Sequence, residues 1–154
     1  MPSRRGSIAL TEDEQTKLLN EGWTLQVASA GHDGYPHLVA MWYVMDGDAI
    51  AFTTFRKSQK ILNLQRNPKM TVMLEAGLKY AELRGLVIEG DAELIDDTQN
   101  TARIMGLVGA KYNGIPAPTE TPEGALKVAS KRVVVRVKPV KIYSWDHAKL
   151  GGVY

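Results

Sequence analysis

Five polar residues with anion-binding chemistry lie at one corner of the chain, where a predicted buried strand leads into a short helix. The strand covers Ala49–Phe55, and the helix after it is ended by Pro68. Hydroxyl groups, ammonium groups and the free N–H groups of a helix start all bind phosphate. The corner therefore predicts a phosphate site, with a solvated basic edge as the alternative from local sequence alone. Its residues are Thr53, Thr54, Lys57, Ser58 and Lys60.

Residue spacing restricts how such a site could be built. Lys57 and Lys60 are three residues apart, so they share a face when both belong to the first helical turn. Thr53 and Thr54 are neighbours on a strand and point to opposite sides, so only one of them can face a given pocket. Which threonine does so stays open. The corner is not a P-loop, because the chain has no Gly-x-x-x-x-Gly-Lys-Ser/Thr sequence.

The sequence lacks the motifs of other common catalytic and metal sites. It has no cysteine, which excludes thiolate nucleophiles, disulfides and cysteine-ligated zinc. Its three histidines have no metal-ligand spacing, so we expect no metal site. The Gly-x-Ser-x-Gly motif of a serine nucleophile is absent. The catalytic residues stay unassigned, because packing is the simpler role for the conceivable proton donors Tyr43, Tyr80 and Tyr112.

Composition and charge narrow the class of protein. The 154 residues suffice for one domain with a core, and 44% hydrophobic with 23% charged residues is ordinary for a globular protein. A net charge of +2 provides no surface for a polyanion, so nucleic acid is not expected as a partner. The chain has no apolar run long enough for a membrane span and no signal-peptide pattern, so we predict a cytoplasmic location.

The elements that must position the corner are typical of an antiparallel β protein. Thr11 and Glu14 form a capping-box pattern that begins a helix, and Asp46-Gly47 predicts a tight hairpin. Short strands joined by hairpins favour a mainly β fold, an antiparallel sheet closed into a barrel with peripheral helices. We predict one domain over 1–154, with a flexible N-terminus at 1–10 and a C-terminal tail at 146–154.

The predicted boundaries follow from hydrophobic periodicity and turn residues. Strands begin at Trp23 and cover His37–Met45, Ala49–Phe55, Met70–Glu75 and Ala81–Ile95. A helix runs from Asp96 to about Tyr112, Gly114–Gly124 is a surface loop, and Arg132–Trp145 is one strand or two.

Taken in order, several segments resemble the pyridoxamine 5′-phosphate oxidase-like split barrels. The resemblance runs from about Thr11 to Trp145 and rests on the order and spacing of motifs that are individually weak. It implies a split β-barrel of six to seven antiparallel strands, and a homodimer that binds a flavin or deazaflavin at its interface. The segments are Asp33-Gly34-Tyr35-Pro36-His37, Val39-Ala40-Met41-Trp42-Tyr43, Phe52-Thr53-Thr54, and the stretches Lys60–Pro68 and Gly85–Leu94.

The resemblance also assigns roles to the corner and to an earlier strand. It implies that the cofactor phosphate is bound by Lys60, Lys57 and Ser58, with Thr53 or Thr54. It implies that the ring system lies along Val39, Ala40, Met41 and Trp42, largely against backbone groups. The last predicted strand carries three cations on one face, which is either solvated or holds an acidic tail of the cofactor: Arg132, Arg136 and Lys138.

Within this family, the small size, the Lys-x-x-Asn-Leu spacing from Lys60 and the Trp-Asp…Leu-Gly-Gly tail look most like an actinobacterial branch that uses the deazaflavin coenzyme F-420. This resemblance implies an oxidoreductase in which reduced F-420 transfers a hydride to an electron-poor small molecule. An FMN-dependent reductase or oxidase, and a non-catalytic protein that binds F-420, FMN or haem, are the alternatives. Oxidation of vitamin B6 is not expected, because an arginine-rich C-terminal substrate segment is missing.

Overall fold

The chain folds around one antiparallel sheet, seen in a computed structural model that describes residues 3–152. The strands are β1 Leu25–Ala30, β2 Pro36–Met41, β3 Val44–Asp46, β4 Ala49–Phe55, β5 Lys69–Ala76, β6 Arg84–Ile95 and β7 Arg132–Asp146. The α-helices are α1 Arg4–Ser7, α2 Glu12–Glu21, α3 Gln59–Arg66, α4 Thr98–Asn113 and α5 Glu123–Ala129, with 3-10 turns at Tyr80–Glu82 and His147–Leu150.

The seven strands lie in the order β2-β1-β5-β6-β7-β4-β3, and every neighbouring pair is antiparallel. The sheet curls into a half-barrel with β2 and β3 at its two edges. The long strands β6 and β7 pair along most of their length, with one register shift between Glu89 and Gly90. The predicted mainly β split barrel is confirmed, and the final strand is single rather than double.

Both faces of β4 are buried, and this decides where the corner residues point. Ile50 and Phe52 face the main core inside the half-barrel, which α3 joins through Ile61. Ala51 faces outward into a second core, where α4 packs Ile104 against the sheet. Residues of odd and even number on β4 therefore meet different surroundings.

The predicted strand His37–Met45 is wrong as one element, because it divides into β2 and β3 at Trp42 and Tyr43. The Tyr43 side chain is fully buried, and its hydroxyl donates a hydrogen bond to the Leu19 carbonyl (2.6 Å). The Tyr43 amide pairs with the Tyr112 hydroxyl (3.1 Å). Tertiary contacts of one aromatic residue thus interrupt the sheet pairing that the alternating sequence predicted.

The N-terminal helix signal is confirmed in detail. Thr11 accepts a hydrogen bond from the Glu14 amide, and the Glu14 carboxylate accepts one from the Thr11 amide, which completes the capping box. The preceding segment, predicted to be flexible, contains α1, and Leu10 is buried with its amide donating to Ser144 Oγ (2.9 Å). Helix α5 was not predicted, because seven residues including Gly124 carry little helical signal.

Among residues 3–152, no helix is long and apolar enough to cross a membrane.

Asp46 joins the β3–β4 hairpin to two other elements. Its carboxylate accepts two hydrogen bonds from the Arg103 guanidinium of α4 (2.9 and 3.0 Å) and one from Arg136 of β7. Only 16% of the Asp46 side chain is exposed, so the pairing is partly shielded from solvent. The hydrogen bonds from Arg103 and the charge of Arg136 hold the pKa of this carboxyl below its ordinary value.

We expect Asp46→Asn to lower the free energy of unfolding by about 1–2 kcal/mol at neutral pH. A carboxyl whose folded pKa is lowered stabilises the fold above its unfolded pKa, and this stabilisation is lost as the pH falls through the folded pKa. The difference between wild type and variant should therefore narrow progressively below about pH 4. Urea unfolding of both proteins at several acidic pH values measures this difference in stability. A difference that does not change with pH would contradict a stabilising role of the charged Asp46 carboxylate.

Candidate functional site

A cavity of about 430 Å³ opens where the end of β2, the outer face of β4 and helix α4 meet. Four of the residues predicted to hold a cofactor line it: Ala40, Met41, Trp42 and Thr53. Thr24, Val108 and Arg132 complete the wall. A larger hollow of about 790 Å³ lies between α4 and the loop at 115–122, but none of the predicted site residues reaches it.

The two threonines of the corner have separate surroundings. Thr54 points into the half-barrel, is 4% exposed, and donates a hydrogen bond to Ser58 Oγ (3.3 Å). Ser58 is the N-cap of α3, and its hydroxyl accepts from the Ile61 amide (3.4 Å). Both hydroxyls connect β4 to α3, and Ser58, which accepts in both hydrogen bonds, keeps its own O–H to donate to a ligand. Thr53 lies on the opposite face and lines the cavity, so it is the threonine available to a ligand there.

The two lysines of the corner have no partner among residues 3–152. Lys60 is half-buried and Lys57 is exposed, and within residues 3–152 neither ammonium group makes a hydrogen bond or an ion pair. Burial lowers the pKa of the Lys60 ammonium, since the charged form loses water without gaining an anion. A phosphate would supply that anion. The structure therefore leaves Lys60 available for the role that the resemblance assigned to it.

The predicted residues form two groups. Ala40, Met41, Trp42 and Thr53 line the cavity. Lys57, Ser58 and Lys60 lie at the start of α3, and Thr54 on the inner face of β4 is linked to them by its hydrogen bond to Ser58. Val39 belongs to neither group, because its half-buried side chain packs against the main core.

An aromatic support behind Trp42 was not predicted. The Trp42 indole stacks on Tyr112 of α4, with ring centroids 4.4 Å apart and planes inclined by 9°. The Tyr112 hydroxyl donates to the Trp23 carbonyl (2.7 Å) and accepts from the Tyr43 amide. Lys111 lies 3.7 Å from the centre of the Tyr43 ring, and burial lowers the pKa of its ammonium to about 8. The end of α4 thus fixes the cavity wall.

Replacing Tyr112 with phenylalanine is expected to cost about 1 kcal/mol of unfolding free energy, because the Trp23 carbonyl and the Tyr43 amide lose their partner. Tyr112→Leu should lower the free energy of unfolding by about a further 0.5–1.5 kcal/mol, because it also removes the stack on Trp42. Equilibrium urea unfolding of both variants separates the two contributions. Equal losses in the two variants would show that the stack contributes nothing.

Arg132 also lines the cavity, and its surroundings differ from those of the other two cations on β7. The predicted basic face of β7 is largely neutralised, because Arg136 pairs with Asp46 and Lys138 with Glu93 (2.9 Å). Among residues 3–152, Arg132 has no acidic partner, and its guanidinium lies 4.1 Å from the centre of the Phe55 ring. Its Nε is buried and makes no hydrogen bond. Sequence could show the three cations on one face but not which of them had acids nearby.

Comparison with known proteins assigns the chain to a family. A family model described as pyridoxamine 5′-phosphate oxidase matches residues 11–146, which include all seven strands and the whole cavity wall. The chain belongs to this family. A search among curated proteins found no match.

Solved structures show how the family resemblance extends. The conserved hypothetical protein Rv2991 of Mycobacterium tuberculosis is 37% identical, with a TM-score of 0.89 over 99% of this chain and 94% of that one. An F420 reductase is 26% identical, with a TM-score of 0.64 over 82% of this chain and 93% of that one. An FAD-binding protein from Mesorhizobium loti shares the fold, at 18% identity and a TM-score of 0.67 over 88% and 94% of the two chains.

The family match and the F420 reductase at 26% identity support a flavin-type cofactor and an oxidoreductase-like function at the family level. The residues present fit such a cofactor at two points. The unpaired ammonium of Lys60 suits a phosphate, and the cavity wall with Trp42 suits a flat ring.

Proposed function

We propose that this protein is an oxidoreductase that uses reduced coenzyme F-420 to transfer a hydride to an electron-poor small molecule. Lys60 and Lys57 would bind the cofactor phosphate, with the amides at the start of α3. Ala40, Met41 and Trp42 would lie along the ring, and Thr53 would contact it from β4. The bound deazaflavin would supply the hydride, and solvent would supply the proton that completes the reduction.

The observation that carries the proposal is the half-buried ammonium group of Lys60, which has no hydrogen-bond or ion-pair partner among residues 3–152. Partial burial of the Lys60 ammonium group without an anionic partner costs free energy, and a bound phosphate would offset that cost. The 26% identity with an F420 reductase over 82% of the chain favours the deazaflavin over FMN.

The same proposal includes a homodimer in the cytoplasm. Edge strand β2 and the residue that follows it present apolar side chains to solvent, with Leu38 65% and Trp42 48% exposed. A second copy would cover them and close the open side of the cavity. Light scattering of the purified protein should give twice the chain mass. Leu38→Glu should give monomers, and a monomeric wild type would contradict the dimer.

Turnover decides between the enzyme and a non-catalytic binder. Purified protein is mixed with reduced F-420 and, in parallel, with reduced FMN, and each is offered quinones, enones and nitroaromatics. We expect oxidation of reduced F-420 that depends on both protein and acceptor. Tight binding of F-420 without turnover of any acceptor class would favour a carrier, and turnover with FMN alone would favour the FMN enzyme.

A further inference from the structure

Arg132 lies at the wall of the cavity and forms no ion pair with any acid of the part of the chain that the structure describes. It lies directly opposite Phe55 in the β4–β7 ladder, so its side chain shares a sheet face with Thr53, and both line the cavity. The Phe55 ring holds the guanidinium at 4.1 Å. The Arg132 Nε is buried, and the terminal N–H groups of the guanidinium make no hydrogen bond or ion pair within residues 3–152, so they remain for a ligand.

The acids of this region are already paired elsewhere. Asp46 is shared by Arg103 and Arg136, Asp96 pairs with Arg56, and Glu93 pairs with Lys138. Within residues 3–152, no carboxylate therefore neutralises Arg132. An anion that enters the cavity would have this guanidinium as its nearest free cation on the sheet.

The kind of cation indicates the kind of anion. A guanidinium offers two parallel N–H groups in a fixed plane, which match the two oxygens of a carboxylate. Stacking on Phe55 restricts the rotation of that plane. Thr53 adds a hydroxyl that can donate to the same ligand.

We propose that Arg132 and Thr53 form a carboxylate-binding subsite, and that the acceptor reduced by this protein carries a carboxylate that Arg132 binds. The proposal rests on the proposed function, because it assigns the carboxylate to the acceptor. The position of Arg132 in the same cavity as Trp42 favours the acceptor over the acidic tail of F-420, since Trp42 belongs to the wall assigned to the ring.

A matched pair of probes tests the subsite without knowledge of the natural acceptor. Cinnamate and cinnamamide have nearly the same shape, and only the first is charged. Calorimetry with the 154-residue protein saturated with F-420 should show that cinnamate binds at least about tenfold more tightly than cinnamamide. Arg132→Gln should reduce that ratio to about one, and the neighbouring exposed charge is the control, so Lys131→Gln should leave the ratio unchanged.

Arg132→Lys provides a second variant, which keeps the charge but loses the planar pair of donors and should give an intermediate ratio. A ratio near one in the wild type, or a ratio preserved in Arg132→Gln, would overturn the proposal. So would an Arg132→Gln protein that loses F-420 affinity about tenfold with the probe ratio unchanged, because Arg132 would then bind the cofactor. A wild type that prefers cinnamate without binding F-420 or FMN would refute the proposed function and leave the subsite standing.

Discussion

Replacing Lys60 with alanine is expected to weaken binding of the cofactor by about 1.5–3 kcal/mol, which is a rise in Kd of about ten- to 150-fold. The ammonium group has no partner within residues 3–152, so its whole contribution is available to a ligand. A phosphate would favour its charged form, and cofactor affinity should therefore fall as the pH rises through the lowered pKa of Lys60 in the free protein.

The stability of the free protein distinguishes a ligand-binding role from a structural one. Because Lys60 makes no ion pair, Lys60→Ala should change the free energy of unfolding by no more than about 0.5 kcal/mol in the absence of cofactor. Lys69→Ala is a matched control, since that lysine is exposed and lies on β5 beyond the corner. Fluorescence titration measures both affinities. An unchanged Kd in Lys60→Ala would remove the corner from the site.

A large loss of stability is expected from Gly85→Ala, about 1–3 kcal/mol or more. A methyl group at this position would lie 2.2 Å from Cζ2 of Trp145, which packs across Gly85 from the opposite strand. The indole is half-buried and rigid, so it cannot make room without leaving its place at the end of β7. Trp145 of β7 thus covers Gly85 of the neighbouring strand β6.

Two further variants check the cause of that loss. Gly124→Ala adds the same methyl group on helix α5, where no atom lies within 4 Å, and should raise stability by about 0.5–1 kcal/mol. Adding Trp145→Ala to Gly85→Ala removes the clash, so the double variant should lose less stability than the sum of the single variants. Additive losses, measured by urea unfolding, would contradict steric conflict as the cause.

Local signals in the sequence were sufficient for much of the fold. The capping box of Thr11, the Asp46-Gly47 hairpin and the helix after Asp97 all depend on neighbours within four residues, and all three are confirmed. The break at Tyr43 was missed because its cause is distant. The Leu19 carbonyl and the Tyr112 hydroxyl lie 24 and 69 residues away.

In the candidate site, too, features set by neighbouring residues were predicted and features set by distant contacts were not. The sequence placed both threonines on one strand, but helix α4 buries the outer face of β4 as well, so the pattern of hydrophobic residues could not tell Thr53 from Thr54. The Arg132 guanidinium is unpaired because the acids at 46, 93 and 96 form ion pairs with other cations. Those ion pairs join residues that are far apart in sequence, so they could not be predicted from local patterns.

The most direct test is a comparison of F-420 and FMN affinity in one protein preparation. Titration of the wild type with each oxidised cofactor, followed by fluorescence quenching, gives two dissociation constants under identical conditions. We predict that F-420 binds at least about tenfold more tightly than FMN, and that Lys60→Ala weakens its binding. A preference for FMN of similar size would contradict the assignment of the deazaflavin to this site.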